Sequence, residues 1–181
     1  QSIDTTMGFT ALDGLMMGTR CGALDPGVIL YLQQTKELNA AQVQHLLYEQ
    51  SGLLGVSGLS SDMRDLEARP DLPAACEAIA LFVYRIVRET GALASVMGGL
   101  DGFVFTGGIG EHSAAVRADV CRGLSWFGIA LDPEANARGA AVISTPQSAI
   151  KVRVIATDEE HMIASHSCAL IEQARTGSAR E

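Results

Sequence analysis

The sequence predicts a single α/β domain, and three patterns support this fold class. An apolar run of β-forming residues at 102–106 is followed at once by a glycine-rich turn and the start of a helix. A second candidate strand at 150–156 is also followed by a helical segment. Upstream of both, the segment 73–90 repeats apolar residues at helical spacing. Strands that alternate with helices are typical of α/β folds, and no internal repeat or linker divides the chain.

The composition describes a globular domain and excludes several functional classes. The 181 residues are 48% hydrophobic and 19% charged, with a formal net charge of −8. This negative charge argues against an extended nucleic-acid or anionic-membrane surface, although it is compatible with one local nucleotide site. No uncharged run reaches the roughly 18 to 20 residues of a membrane helix. We therefore expect neither a nucleic acid nor a membrane as partner.

The cysteines predict the cellular compartment of the protein, and the first residue suggests that part of the protein is missing. Cys21, Cys76, Cys121 and Cys168 lie far apart and form no CxxC pair. We expect reduced, mostly buried thiols in a cytoplasmic protein rather than disulfides. The chain begins with Gln1 rather than Met, which suggests a fragment of a longer protein.

The first third of the chain predicts a loop followed by two helices. Residues 1–26 have apolar positions without a clear period and are interrupted by glycines, so we expect an ordered loop layer. Asn39 is a suitable N-cap for a helix over 40–50, after which a series of glycines breaks the pattern. A short helix is predicted at 61–66, capped by Ser60 or Ser61.

The remaining helices are delimited by glycine and by capping residues. The helix over 73–90 is expected to end at Gly91. Ser113 can cap a helix that runs to Arg122, and Thr157 or Asp158 can cap a final helix that extends to about residue 174.

The glycine turn Gly107-Gly108-Ile109-Gly110 has two interpretations of equal weight. Glycine allows close backbone approach to a ligand, and a helix starting just after it could bind phosphate. The alternative is an ordinary turn between a strand and a helix. The turn lacks the Gly-Lys-Ser/Thr of a P-loop, and Ser113 breaks the G-x-G-x-x-G spacing of a dinucleotide-binding loop.

Charged residues at a second predicted helix start could contact a nucleoside. In Asp62-Met63-Arg64-Asp65, a carboxylate could accept hydrogen bonds from ribose hydroxyls while the guanidinium lies along an adenine ring. The alternative is a surface capping network, and the residues taken alone favour it.

Two further groups of charged residues are candidates for binding an anion and a metal ion. Arg20 is the sole cation in the first 35 residues, and its glycine-rich surroundings suggest a bound anion, or a salt bridge to Asp13 or Asp25. The acidic run at 157–160 could hold Mg²⁺ through a carboxylate and waters, although helix capping alone explains it more simply.

Four blocks of sequence together resemble the acetate kinase family. They follow the family's order at matching spacing and cover essentially the whole chain. They are DTTMGFT (4–10), GLMMGTR (14–20) and DPG (25–27) as the signature block, GVSGLSSDMRDL (55–66) as the adenosine-side segment, FTGGIGE (105–111) as the nucleotide loop, and TDEE (157–160) as the C-terminal acidic motif.

The resemblance implies an actin/hexokinase-like, ribonuclease H-like ATPase fold, as the C-terminal half of a two-domain kinase. It also implies Mg²⁺-dependent phosphoryl transfer between ATP and acetate, giving acetyl phosphate and ADP. By motif match Arg20 would stabilise the transition state and Glu159 would hold Mg²⁺. The residues matched to nucleotide binding are Asp62, Met63, Arg64, Gly108, Ile109, Gly110, Glu111 and His112.

The same resemblance implies how the chain is organised and assembled. Residues 1–181 would be one nucleotide-binding and dimerisation domain of a homodimer, lacking an N-terminal domain and inactive alone. A non-catalytic nucleotide-binding or dimerisation module, and a propionate or butyrate kinase, are the alternatives. The sequence departs from the family pattern at His112 and Asp158, where Asn is usual, and at Met63, where an aromatic residue is usual.

Overall fold

The computed structural model describes residues 2–177, apart from the side chains of residues 159, 161 and 172–177. Within this part, helices and two short strands confirm the predicted α/β class. The elements in chain order are α1 (Pro26–Gln34), α2 (Ala40–Glu49), α3 (Gly52–Ser57), α4 (Met63–Glu67), α5 (Pro73–Met97), β1 (Gly102–Phe105), α6 (Gly107–His112), α7 (Ala114–Gly123), a 3₁₀ turn (Ser125–Phe127), α8 (Pro133–Ala137), β2 (Lys151–Val154) and α9 (Glu159–Gly177).

The two strands pair in parallel, which places the ends of both at one edge of the sheet. The register aligns Gly102 with Lys151 and Phe105 with Val154. Helices α6, α7 and α8 lie between the strands in the chain and supply the crossover that a parallel pair requires. As a result, α6 begins at the edge where the segment after β2 also starts.

The long helix α5 is the common support of the neighbouring helices. It packs against α3, α4 and α7. Burial of apolar side chains in this layer drives the association. The core includes Leu53, Met63, Leu66, Ala78, Phe82, Phe105, Val116, Val120, Leu124, Ile143, Ile150 and Val152. Since α4 and α7 both pack on α5, the last residue of α4, Glu67, comes within hydrogen-bond distance of Ser113, the N-cap of α7.

Helix α2 and the loop before α1 both lie where the local sequence predicts them. The Asn39 side chain accepts a hydrogen bond from the backbone N of Gln42 at 3.0 Å, and Gln42 Oε1 accepts one from the N of Asn39 at 2.9 Å. This reciprocal pair is a capping box. Residues 2–25 contain no helix or strand, as predicted. Helix α1, which the sequence analysis missed, begins at Pro26 and is capped by Asp25 through the N of Gly27 at 2.8 Å.

Two glycines that were expected to interrupt or end a helix do not do so in the structure. Gly52 starts helix α3 rather than breaking a pattern; its φ is +63°, and a Cβ there would lie 2.1 Å from the carbonyl O of Met17. Glycine is therefore required where the N-terminal loop crosses this helix. Gly91 does not end α5, which continues to Met97 and is terminated by Gly98, the C-cap, with a left-handed φ of +76°. The buried Ala94 shows that the helix still packs on the core beyond Gly91.

The thiols are unpaired, but they are less buried than predicted. All four cysteines are free, and only Cys121 is buried. Burial raises the pKa of the Cys121 thiol to about 11. The described helices include none that is both long enough and apolar enough to cross a membrane.

Candidate functional site

A cleft of about 530 Å³ lies between the start of α4 and the junction of α6 with α7. It brings together two groups of candidate residues that are far apart in the sequence. Asp62, Met63 and Arg64 lie on one wall, and Gly108, Ile109 and His112 lie on the other. The cleft is completed by Ser61, Glu67 and Ser113.

The α4 wall is organised by Asp62, which is the N-cap that the sequence assigned to Ser60 or Ser61. Its carboxylate accepts a hydrogen bond from the backbone N of Arg64 at 2.9 Å, and its Oδ2 lies 2.6 Å from Arg64 Nη2. These bonds lower the pKa of Asp62 to about 2. The capping network considered as the alternative is thus present, while the Arg64 side chain remains 84% exposed at the mouth of the cleft.

Two residues of α4 connect this wall to the core and to the opposite helix. Met63 is only 4% exposed, so it belongs to the core while its surface lines the cleft. Glu67 accepts a hydrogen bond from the hydroxyl of Ser113, the N-cap residue of α7. Ser113 Oγ also accepts from the N of Val116 at 3.0 Å. The Glu67–Ser113 bond therefore joins the two walls directly.

The glycine segment is a short helix, α6, and not the turn that the sequence predicted. It starts at Gly107, whose φ is +71°. The Gly107 N–H donates to Glu111 Oε1 at 2.8 Å, so a side chain from the same helix occupies its first amide. Gly110 faces away from the cleft, since a Cβ there would contact Phe105 at 3.5 Å.

Glu111 joins α6 to the end of β2. Its Oε1 also accepts hydrogen bonds from the backbone N and the Oγ1 of Thr157, both at 2.9 Å. The Thr157 hydroxyl lies 2.8 Å from that of Thr106, which follows β1. These donors, those of Thr157 foremost, hold the pKa of Glu111 below its usual range. Glu111 does not line the cleft; its contacts connect the segments that follow the two strands.

Arg117, which no sequence motif singles out, is a buried residue that supports the C-terminal end of α6. Its side chain is 2% exposed, and Nη1 donates to the carbonyl O atoms of Gly110 at 3.0 Å and Glu111 at 2.8 Å. Burial lowers the pKa of the guanidinium. Helical spacing was the available signal, because Arg117 lies three and four residues before the buried Val120 and Cys121.

Arg20 lies outside this cleft. It forms no ion pair with Asp13 or Asp25, so the salt-bridge alternative is wrong. Its guanidinium carbon is 5.8 Å from the centre of the Tyr48 ring. Binding of an anion by Arg20 stays a prediction.

The acidic residues of the run at 157–160 follow Thr157 directly. Glu159 is the first residue of α9, and its side chain is outside the described residues. The described side chains include no cluster of three or more His, Cys, Asp or Glu residues. Carboxylates at positions 158–160 are nevertheless the hard oxygen donors that Mg²⁺ prefers, and Mg²⁺ commonly takes only one or two from the protein.

Known proteins match nearly the whole chain. The Acetokinase family model matches residues 1–165. Acetate kinase from Rhodopseudomonas palustris (strain TIE-1) is 59% identical over 177 residues, which are 97% of this chain and 44% of that protein. Acetate kinase from Symbiobacterium thermophilum is 48% identical, and the match covers 94% of this chain and 44% of that protein. The chain therefore spans less than half the length of these relatives.

Solved structures agree with the sequence matches. The crystal structure of Porphyromonas gingivalis acetate kinase matches with a TM-score of 0.85 and 42% identity, covering 92% of this chain and 43% of that one. A propionate kinase from Francisella tularensis subsp. tularensis SCHU S4 matches with a TM-score of 0.85 and 37% identity. This match covers 91% of this chain and 43% of that one. The fold is that of these kinases, and with a family model that covers most of its length, this chain belongs to the acetokinase family.

Proposed function

We propose that this chain is the nucleotide-binding part of a kinase that transfers a phosphoryl group between ATP and acetate, giving acetyl phosphate and ADP. The observation that carries the proposal is the single cleft where Asp62, Met63 and Arg64 face Gly108, Ile109 and His112. The first group has donors and acceptors suited to a nucleoside. The second presents a backbone with little side-chain bulk, which lets a ligand approach closely.

Each wall has a defined part in holding ADP or ATP. The Asp62 carboxylate, whose two oxygens both accept from the Arg64 guanidinium, would accept from ribose hydroxyls by exchanging some of those hydrogen bonds for them. The exposed, planar guanidinium of Arg64 stacks on the adenine ring. Met63 contributes apolar surface beneath the base. Gly108, Ile109 and His112 cover the other side of the nucleotide, and Gly110 and Glu111 fix the position of α6.

The charged residues outside the cleft complete the chemistry. Phosphoryl transfer between two anions depends chiefly on positioning and charge neutralisation. Glu159 would hold Mg²⁺, which would supply charge neutralisation at the phosphates. Arg20 donates to the transferring phosphoryl group and stabilises its charge in the transition state. The remaining catalytic groups come from the part of the relatives that this chain does not span, so the chain alone is inactive.

Two alternative functions have specific support. The Francisella tularensis neighbour is a propionate kinase, so a short-chain acid other than acetate fits the same fold. Residues of this chain line the cleft on both sides, which supports a nucleotide-binding module without catalysis; a dimerisation module stays the other alternative. In both readings we place the protein in the cytoplasm as a homodimer.

The deciding experiment is a calorimetric titration of Mg-ADP into the purified chain, with NAD and AMP as controls. Circular dichroism would first verify that the chain is folded. Selective binding of ADP supports the proposal. A folded chain that binds none of the three, or that prefers NAD, contradicts a nucleotide site built by this chain alone. Activity assays on a protein that also supplies the region of the relatives that this chain does not span, with acetate, propionate and butyrate in parallel, then separate the candidate acids.

A further inference from the structure

Arg117 is a buried cation whose partners are all uncharged. It is 2% exposed, and it takes part in none of the ion pairs found among the described residues. Removing a charge from water is costly, and an apolar side chain of similar size often stabilises a core as well or better. General stability therefore does not account for an arginine at this position. Its five donors suggest a specific task.

That task is the capping of α6. A helix end leaves its last carbonyl groups without partners in the helix. In α6 the Ile109 carbonyl accepts from the N of Ser113 at 2.9 Å. The next two carbonyls, of Gly110 and Glu111, accept from Arg117 Nη1. The chain breaks sharply at Ser113, with φ −95° and ψ 100°, so the following helix cannot satisfy these groups.

The other edge of the guanidinium is held by α8. Arg117 Nε donates to Oδ1 of Asn136 at 2.8 Å, and Nη2 donates to its carbonyl O at 2.8 Å. Asn136 is itself fixed, since its Nδ2 donates to the carbonyl O of Ala114 at 2.8 Å. The guanidinium is thereby locked in one orientation and connects α6 rigidly to α7 and α8.

We propose that Arg117 is a positioning residue of the nucleotide cleft. By holding the C-terminal end of α6, it fixes where His112 and Ser113 stand relative to Arg64 and Glu67 on the opposite wall. Arg117 is not among the residues that line the cleft, so it acts on the nucleotide only through α6. The proposal rests on the proposed nucleotide-binding function.

The test compares Arg117→Lys and Arg117→Met with Arg122→Met. Arg122 is a matched control because it lies on the same helix, is 77% exposed and pairs with Asp119 at 2.8 Å. Lysine keeps the charge but cannot bond both α6 carbonyls and Asn136 at once. Hydrogen exchange of the peptide 107–113 reports on α6, melting temperature reports on the whole fold, and calorimetry gives the Kd for Mg-ADP.

For Arg117→Lys we expect faster exchange in 107–113, unchanged exchange in α5, and a Kd raised about 10-fold, since small misplacements of binding groups are costly. Arg117→Met should show a larger effect, and Arg122→Met none. A folded Arg117→Lys protein with parental exchange in 107–113 and parental Kd overturns the inference. Failure of the parent to bind ADP counts against the proposed function instead. In that case exchange alone decides whether Arg117 holds α6.

Discussion

Glu111 Oε1 accepts hydrogen bonds from both the backbone N and the Oγ1 of Thr157, each at 2.9 Å. The same oxygen accepts from the N of Gly107 at 2.8 Å. One carboxylate thus ties the start of α6 to the segment that leads into the acidic run at 157–160. Under the proposed function, this contact couples the nucleotide wall to the residues that would hold Mg²⁺.

The Glu111 contact should make stability depend on pH. Its pKa is lower in the folded protein than the value of about 4.3 expected when unfolded. The carboxylate therefore contributes stability at neutral pH, and this contribution is lost as pH falls through the folded-state pKa. We expect Glu111→Gln to be less stable than the parent near neutrality, with the difference shrinking in acid. Urea unfolding from about pH 7 down to about pH 3 measures it.

Glu134→Gln provides the control for that comparison. Glu134 is 91% exposed, and its contact with Arg138 is long, at 4.0 Å. Its replacement should leave the pH profile of the unfolding free energy unchanged. Parallel profiles for the parent and Glu111→Gln would show that the hydrogen bonds to Thr157 and Gly107 do not favour the ionised carboxylate.

Replacing Asp62 separates capping from ligand binding. Asp62→Ser keeps an N-cap side chain for α4 but removes the carboxylate, whereas Asp62→Ala removes both. We expect both variants to weaken Mg-ADP binding, and only Asp62→Ala to lose the cap and with it part of the stability of α4. Calorimetry and thermal unfolding give the two quantities. If Asp62→Ser binds ADP as the parent does, the residue acts only as a cap.

Core packing under α4 should affect the stability of the fold. Leu66 on α4 is fully buried, so Leu66→Ala is expected to destabilise the fold by about 3 kcal/mol through lost burial and a cavity. Leu59→Ala, at a position that is 38% exposed, is the control and should cost much less. Urea unfolding measures both variants. Equal losses for the two would contradict the assignment of Leu66 to the core under α4.

Elements with strong local signals could be predicted from the sequence. Helix α2 carries its own capping box at Asn39, and Ser113 caps α7 through the N of Val116 as expected. Both strands were placed within two residues of their observed ends. These features depend on neighbours along the chain, and residue type alone is enough to find them.

Features that depend on distant contacts could not be predicted in this way. The glycine segment is a helix whose ends are held by Glu111, through Thr157, and by Arg117, through Asn136. No local pattern contains those partners. Arg117 was missed because arginine is seldom fully buried, although its helical spacing placed it on the core face. For the candidate site, motif resemblance proposed two groups of residues, and the fold places Asp62–Arg64 opposite Gly108, Ile109 and His112 in one cleft. Nucleotide binding by these residues stays a prediction.

Arg20 offers the test that bears most directly on catalysis. No carboxylate pairs with its side chain among the described residues, and the guanidinium lies over Tyr48, so its charge is available to an anion. In a protein that also supplies the region of the relatives that this chain does not span, Arg20→Ala should lower kcat by about 100-fold or more. The KM for nucleotide should change little, because the lost interaction is made mainly in the transition state. Tyr48→Leu removes the ring and keeps the charge, so it should have a much smaller effect on kcat. A kcat for Arg20→Ala equal to that of the parent would remove Arg20 from the mechanism and leave the cleft as a nucleotide-binding site alone.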